Sequence, residues 1–220
     1  MNLKLQISAS WLNSHDYCEY KFHRQFVLKE YIPRTKAMVV GAEKHEQKEE
    51  KFLEVAKSST IEEFLASTSY TITKELRLES SFEEFFLVGK IDELGIDAKN
   101  VYIIDDKPKA KPYPGTIRQL WAYSLLFKKK FPTIQKKIFT VIRDRDSDRA
   151  VWTKTFSEDS EKNLFEVFLR IKLLFEGKIN PEPTKNPNRC NACVLHKLDR
   201  CKYSSGNKIL QSIPAQYIQS

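Results

Sequence analysis

Two carboxylates and a lysine lie on neighbouring predicted strands, separated by a short polar turn at residues 97–100. Pairing across such a turn brings Asp92 within a position or two of Asp105, and directly opposed residues lie about 5 Å apart at Cβ. Alternation places Lys107 on the same face as Asp105 and turns Asp106 to the other face. Two carboxylates this close repel each other unless a cation lies between them. Because hard divalent cations take oxygen ligands, the pattern indicates a hydrolytic metal site with Lys107 beside its water.

Charged residues at strand ends are often only solvated side chains, and this alternative applies to the predicted hairpin when it is considered alone. The preceding run, Val101–Ile104, is uninterrupted and apolar, which is typical of a buried strand. It ends abruptly in Asp-Asp-Lys, so the charges fall where a core strand emerges. This position favours the functional interpretation.

Three further polar residues are candidates for the same site. His45 falls on a charged helix predicted over about residues 42–57, and a neutral imidazole is a good Mn²⁺ ligand, although a histidine on a polar helix is usually a surface residue. Gln119 and Tyr123 are four residues apart on a helix predicted over Thr116–Lys130, so they share one face. Their amide and hydroxyl groups could orient a phosphate or a water, or could be ordinary boundary residues.

The cysteines could form a single metal site. Cys190 and Cys193 form a Cys-x-x-Cys pair, Cys201 follows after seven residues, and Cys18 lies almost the whole chain away. Disulfides are disfavoured because nothing in the sequence indicates secretion. Four thiolates would hold structural zinc, the commoner occupant, or an iron–sulfur cluster, and spacing does not separate the two. Buried thiols without a metal are the third alternative, and His196 is expected to be a solvated neighbour.

Composition limits the class of protein. The chain has 220 residues with 41% hydrophobic residues, enough for a single domain with a real core. No apolar run approaches the length of a membrane span and no signal-peptide pattern is present, so we expect a soluble cytoplasmic protein. The net charge of +8 favours a polyanionic partner, and lysines cluster just after the predicted hairpin.

The predicted elements alternate between helices and strands. An N-terminal helical segment spans about residues 8–31, strands follow between about 70 and 156 around the Thr116–Lys130 helix, and a helix begins after Ser157 and stops at Gly177. This order is typical of a mixed sheet with helices on its faces, an α/β (α+β) architecture.

Taken in chain order, the candidate site residues and cysteines resemble the motifs of the PD-(D/E)xK nuclease superfamily. The resemblance is greatest to the RecB-like branch whose members carry a four-cysteine iron–sulfur cluster, and, by size and layout, to the CRISPR-associated exonuclease that is the fourth of the Cas families. No single motif is specific for this family. Six motifs that occur in the family's order, spread over nearly the whole chain, are specific for it. The matching features are Cys18, Gly41-x-x-x-His45, Gly89-Lys90-Ile91-Asp92, Ile103-Ile104-Asp105-Asp106-Lys107, Gln119-x-x-x-Tyr123, and the group Cys190, Cys193 and Cys201.

The resemblance implies one nuclease domain over residues 1–220. Its PD-(D/E)xK core would span about 70–156, segments 8–31 and 181–203 would be joined through the cysteines, and 206–220 would be a tail. It implies a 4Fe–4S cluster rather than zinc. It further implies His45, Asp92 and Asp105 as ligands of Mn²⁺ or Mg²⁺, and Asp92, Asp105, Lys107, Gln119 and Tyr123 as catalytic residues.

The resulting hypothesis is a metal-dependent DNA exonuclease acting on single-stranded ends or overhangs and trimming DNA for CRISPR spacer acquisition. A Cas integrase complex would be a possible partner, and a homo-oligomer is compatible with the sequence. Three alternatives stay open: a related repair or viral nuclease, a DNA-binding accessory factor that cuts little, and a zinc-stabilised binding module.

Overall fold

The protein forms a six-stranded mixed sheet flanked by helices in a computed structural model. The residues it describes are 4–34, 40, 43, 47, 50–52, 54, 56 and 59–203. Gly41, His45 and the predicted tail at 206–220 lie outside this set. The strands are β1 (Leu5–Ser8), β2 (Thr71–Ser81), β3 (Phe85–Ile96), β4 (Asn100–Lys107), β5 (Lys137–Asp144) and β6 (Arg149–Thr155). The helices are α1 (Trp11–Tyr17), α2 (Glu19–Phe22), a π-helical turn (His23–Val27), α3 (Ile61–Leu65), α4 (Pro114–Lys130), α5 (Glu158–Phe175), α6 (Pro187–Ala192) and α7 (Val194–Lys197).

The strand order of the sheet is β1-β3-β4-β5-β6, and β2 also pairs with β3. The β1–β3 and β4–β5 pairs are parallel, and the other pairs are antiparallel. Helix α4 connects the parallel strands β4 and β5, as a crossover between parallel strands requires. The mixed sheet with flanking helices expected from the sequence is confirmed.

A side-chain-capped turn joins β3 to β4 at the predicted hairpin. Asp97 Oδ1 accepts hydrogen bonds from the backbone N–H groups of Lys99 and Asn100, both at 2.8 Å. These two bonds lower the pKa of Asp97 to about 2, and the bond from Lys99 has the larger effect. The carboxylate therefore stays charged and holds the turn.

The core lies between the sheet and helices α1, α4 and α5. Helix α4 begins with Pro114, whose missing N–H costs nothing at a helix start, and buries Leu120 and Leu126 completely. Helix α5 begins as predicted, with Ser157 accepting a hydrogen bond from the Ser160 N–H, and it ends just before Gly177, where φ is +67°.

The N-terminal segment differs from the single helix expected over residues 8–31. It begins with strand β1, which pairs in parallel with the start of β3. Cys18 has an extended backbone and separates α1 from α2. Ser10 occupies the N-cap position of α1 but makes no capping hydrogen bond, and its hydroxyl lies 2.9 Å from that of Ser8.

Among the described residues, no helix combines the length and apolar character needed to cross a lipid bilayer.

Candidate active site

The edge of β3 that carries Asp92 changes partner along its length. Residues Phe85–Val88 pair with β1, and Glu93–Ile96 pair with β4. Asp92 thus lies at the fork where these two partner strands meet the same edge. Between these two partner strands, β3 exposes Lys90 and leaves Asp92 half-buried.

The pleat of β3 changes at Asp92. Leu87 and Ile91 are fully buried, and the next fully buried residue is Leu94, three positions on rather than two. The inward-facing set therefore changes from odd-numbered to even-numbered residues, and Asp92 lies in line with Leu94. On β2, Glu75 falls between the pairs Lys74–Glu93 and Leu76–Ile91, which puts it level with Asp92, and it has a left-handed backbone with φ +58°. We call this irregularity at Glu75 and Asp92 the kink.

Asp92 and Asp105 meet across the β3–β4 pair. The β3–β4 ladder ends with Glu93 opposite Ile104, so the next step of the register places Asp92 opposite Asp105. Asp105 is 1% exposed. Burial raises its pKa to about 6; the Lys107 ammonium opposes this rise and the Asp92 carboxylate adds to it. The two carboxylates therefore repel each other across the strand pair.

Lys107 lies beside this carboxylate, as strand alternation predicts. Its Nζ is 2.9 Å from Asp105 Oδ1, and 38% of its side chain is exposed. Burial of the side chain would lower the pKa of Lys107, but Asp105 and then Asp92 outweigh it and the pKa is raised. Lys107 is therefore a cation at neutral pH, with one side towards the carboxylates and the other towards solvent.

Gln119 and Tyr123 form the wall of the site on helix α4. Gln119 Nε2 donates to the Tyr123 hydroxyl at 2.6 Å, and Asn13 of α1 donates to Gln119 Oε1. Both residues are buried, at 7% and 4% exposure. The pKa of Tyr123 is raised, mainly because the side chain is buried. The negative charge of Asp92, and then that of Asp105, raises it further. The hydroxyl therefore lies close to the carboxylates and stays protonated.

A second charged network lies on the other face of the sheet and was not identified from the sequence. Arg143 of β5 contacts Asp106 at 2.6 Å and Glu93 at 2.9 Å, and both carboxylates are buried. Lys74 approaches Glu93 at 3.7 Å. Burial alone would lower the pKa of Arg143, but the hydrogen bonds and charges of Asp106 and Glu93 outweigh this effect and raise it. Long-range pairing of four strands creates this network, so local sequence pattern could not reveal it.

The four cysteines lie on two chain segments, an N-terminal one with Cys18 and a C-terminal one with the other three, and these segments contact each other. Cys18 lies between α1 and α2, and Cys193 between α6 and α7, and both are buried. The pKa of the Cys201 thiol is raised, mainly because it is partly buried. The charges of Cys18 and Cys193 raise it further. Tyr17 has a raised pKa from burial and from Cys193, Cys18 and Cys190. No disulfide joins the four thiols.

Polar contacts hold these two chain segments together. Tyr17 donates its hydroxyl to the Arg189 carbonyl at 2.5 Å, and Arg189 donates to the Asp16 carbonyl at 2.5 Å. Glu19 accepts from the Glu182 N–H at 2.9 Å. His196 is half-buried rather than solvated, and its Nδ1 has no hydrogen-bond partner among residues of the described ranges.

The donor sets suit metals, although the side chains are not arranged as finished ligand shells. Within the described ranges, no three His, Cys, Asp or Glu side chains form a group compact enough to hold a metal ion. The Asp92–Asp105 pair offers carboxylate oxygens, one group almost fully buried, which fits Mg²⁺ or Mn²⁺. The thiols offer sulfur, which fits zinc or iron. His45, the third predicted ligand of the divalent ion, is outside the described residues.

Comparison with known proteins gives structural similarity only. No protein-family model matches the chain, and no curated protein matches its sequence. A presumed exonuclease from Eubacterium rectale superposes with a TM-score of 0.52 at 10% identity, covering 89% of this chain and 88% of that one. The protein SSO0001 superposes with a TM-score of 0.46 at 16% identity, covering 90% and 87%. The first similarity shows that the two chains share a fold.

Proposed function

We propose that this protein is a divalent-metal-dependent nuclease that hydrolyses DNA phosphodiester bonds at the fork of β3. The observation that carries the proposal is the buried Asp105 carboxylate, opposite Asp92 and 2.9 Å from the Lys107 ammonium. A carboxylate pair with an adjacent cation at an accessible strand fork suits a metal ion and a phosphate together. The fold shared with a presumed exonuclease agrees with this function.

The two carboxylates and the lysine would have different roles in the reaction. Asp92 and Asp105 would hold a divalent cation, which polarises a phosphate oxygen and lowers the pKa of a water when bound. Lys107, charged and partly exposed, donates to a phosphate oxygen and stabilises the negative charge that develops there as water attacks. Its position next to Asp105 keeps the ammonium in place before the substrate arrives.

Helix α4 supports these groups from the buried side. The Gln119–Tyr123 hydrogen bond fixes a protonated hydroxyl near Asp92 and Asp105. The Asn13 amide holds Gln119 from the opposite direction. Tyr123 can therefore donate to a carboxylate or a phosphate oxygen without rearranging, which is the preorganisation that electrostatic catalysis requires.

We further propose that the protein acts as an exonuclease that trims single-stranded DNA ends or overhangs for CRISPR spacer acquisition, with a Cas integrase complex as the partner. The net charge of +8 supports a polyanionic substrate. For the four cysteines we propose a 4Fe–4S cluster, with zinc as the alternative, tying α1–α2 to α6–α7. Tyr17, influenced by three of the thiols, supports one shared site.

The test is Asp105→Asn with Mn²⁺ on end-labelled single-stranded and duplex DNA. We expect cleavage to fall by at least about 10²-fold while DNA binding persists, because the variant removes a ligand but no positive charge. Asp146→Asn is the matched control, since Asp146 is exposed on the β5–β6 turn. Undiminished cleavage by Asp105→Asn would refute the proposed site. Tight DNA binding by a wild-type protein that never cuts would instead support the accessory factor.

A further inference from the structure

A second lysine–carboxylate pair lies at the kink. Lys90 Nζ contacts Glu75 Oε2, and the two side chains are 43% and 13% exposed. The Lys107–Asp105 pair has the same asymmetry, with a partly exposed ammonium over a more deeply buried carboxylate, at 38% and 1%. In both pairs the cation is the partner that a solvent-borne ligand can reach.

The position of this pair connects it to the catalytic carboxylates. Glu75 falls level with Asp92, between neighbouring pairs of the β2–β3 register, and Lys90 precedes Asp92 by two residues. Lys90 also falls between the part of β3 that pairs with β1 and the part that pairs with β4. The charge of Glu75 adds to the raised pKa of Tyr123, which places Glu75 within electrostatic reach of that hydroxyl.

The backbone at Glu75 is held in an unfavourable conformation. Its φ of +58° lies in the left-handed region, where the Cβ crowds the following carbonyl oxygen and which glycine, asparagine and aspartate adopt more readily than glutamate does. The strand is regular on both sides, with Lys74 opposite Glu93 and Leu76 opposite Ile91. Outliers of this kind concentrate at binding and catalytic sites, where surrounding contacts maintain them.

We propose, given the nuclease function above, that Lys90 binds a phosphate of the DNA strand beside the scissile one. Glu75 is then a positioning residue: the kink directs its carboxylate to the Lys90 ammonium and holds that ammonium at the fork. DNA backbone phosphates are the ligand that an exposed ammonium in this position would take, because each such contact releases a condensed counterion. The fork thus presents two cations, Lys107 at the reacting phosphate and Lys90 at its neighbour.

The first test measures binding of single-stranded DNA by fluorescence anisotropy over a salt series, with EDTA present so that nothing is cut. Lys90→Gln should weaken binding at about 0.1 M salt by roughly 5- to 10-fold and make the slope of log K against log salt shallower by about 0.7. Lys178→Gln is the matched control, because Lys178 also pairs with a glutamate, Glu176, at 2.8 Å. Equal behaviour of the two variants would overturn the proposal.

The second test separates positioning from simple charge. Glu75→Gln removes a negative charge near the DNA, so charge alone predicts tighter binding, whereas loss of positioning predicts weaker binding by roughly 2- to 5-fold. In Lys90→Gln protein, Glu75→Gln should add no further weakening. A circular dichroism melt verifies that each variant folds, and tighter binding by Glu75→Gln would exclude the positioning role.

Steady-state kinetics distinguish this inference from the nuclease assignment. Lys90→Gln should raise KM more than it lowers kcat, because Lys90 contacts a phosphate that does not react. If Asp105→Asn is inactive and Lys90→Gln matches Lys178→Gln, the phosphate-binding role is wrong and the nuclease site stands. If Asp105→Asn still cuts, the nuclease site is wrong, whatever the binding assay gives for Lys90.

Discussion

Gly89 and Tyr123 lie so close together that a Cβ at position 89 would be 2.8 Å from Tyr123 Cε1 and 2.9 Å from Cδ1. Ordinary Cβ contacts never approach this distance. Strand β3 and helix α4 therefore meet at their closest where β3 has no side chain. The ring that fills this space carries the hydroxyl whose pKa is raised by burial and then by Asp92, so a glycine on the strand sets the position of a polar group in the candidate site.

Gly89→Ala should displace the Tyr123 ring and lower both stability and activity. We expect a loss of about 1–3 kcal/mol in the free energy of unfolding, the usual cost of overpacking, and a larger fall in kcat than Tyr123→Phe produces. Urea unfolding and Mn²⁺-dependent cleavage measure the two effects. In a Tyr123→Ala background the same glycine substitution should cost much less, and equal costs in both backgrounds would contradict the contact.

The raised pKa of Asp105 predicts how stability depends on pH. Its value is about 6, above the 3.9 or so of an exposed aspartate, so the folded protein binds this proton more tightly than the unfolded chain. Asp105 then contributes stability that is complete below about pH 4 and is lost as pH rises through 6. With EDTA present near pH 8, Asp105→Asn should exceed the wild type in stability by roughly 1–3 kcal/mol.

Divalent cations should make the wild type more stable than Asp105→Asn near pH 8. Mn²⁺ should stabilise the wild type near pH 8 and do so far less near pH 5, where Asp105 holds its proton, while Asp105→Asn should respond weakly at both. Thermal melts with and without Mn²⁺ measure this, and Asp146→Asn should behave like the wild type throughout. A wild type more stable than Asp105→Asn in EDTA near pH 8 would mean that burial does not raise this pKa.

Arg143 should matter for stability rather than for cleavage. Arg143→Met leaves Glu93 and Asp106 buried without their shared cation, and removing one partner of a buried ion pair costs about 3–5 kcal/mol. Arg149→Met, on the exposed edge strand β6, should change stability by less than about 0.5 kcal/mol.

Urea unfolding of a rescue variant tests the reason for that cost. Adding Glu93→Gln and Asp106→Asn to Arg143→Met should recover most of the lost stability, since the two buried groups that lost their shared cation are then uncharged. Cleavage per folded molecule should change little in Arg143→Met, because Arg143 lies on the face of the sheet away from Lys107. Equal destabilisation by Arg143→Met and Arg149→Met would show that the network contributes nothing.

Local pattern was sufficient to predict the hairpin, the face shared by Asp105 and Lys107, and helix α4. Each of these depends on residues close in sequence: an aspartate-capped turn, strand alternation, and an amphipathic repeat. Strand β1 was not predicted because four residues carry no period, and its pairing partner lies some 80 positions away. The kink was not predicted because alternation assumes a regular strand, and the left-handed residue at 75 is a glutamate rather than a glycine.

Loss of Cys18 should remove the metal as completely as loss of Cys193, if the four thiols share one site. Cys18 belongs to the N-terminal segment and Cys193 to the C-terminal one, yet both influence Tyr17 and Cys201. We expect anaerobically purified wild type to show a broad visible band and about four irons per chain. Cys18→Ser and Cys193→Ser should each lose the band and the iron.

Tyr17→Phe is the control for the contact between the same two segments. It removes the hydroxyl bond to the Arg189 carbonyl and leaves every thiol in place, so its metal content should match the wild type. A Cys18→Ser protein with full metal content would exclude a four-thiolate site. A colourless wild type with one zinc per chain would establish the zinc alternative and separate the cysteines from an iron–sulfur nuclease. The nuclease proposal would then depend on Asp92, Asp105 and Lys107 alone.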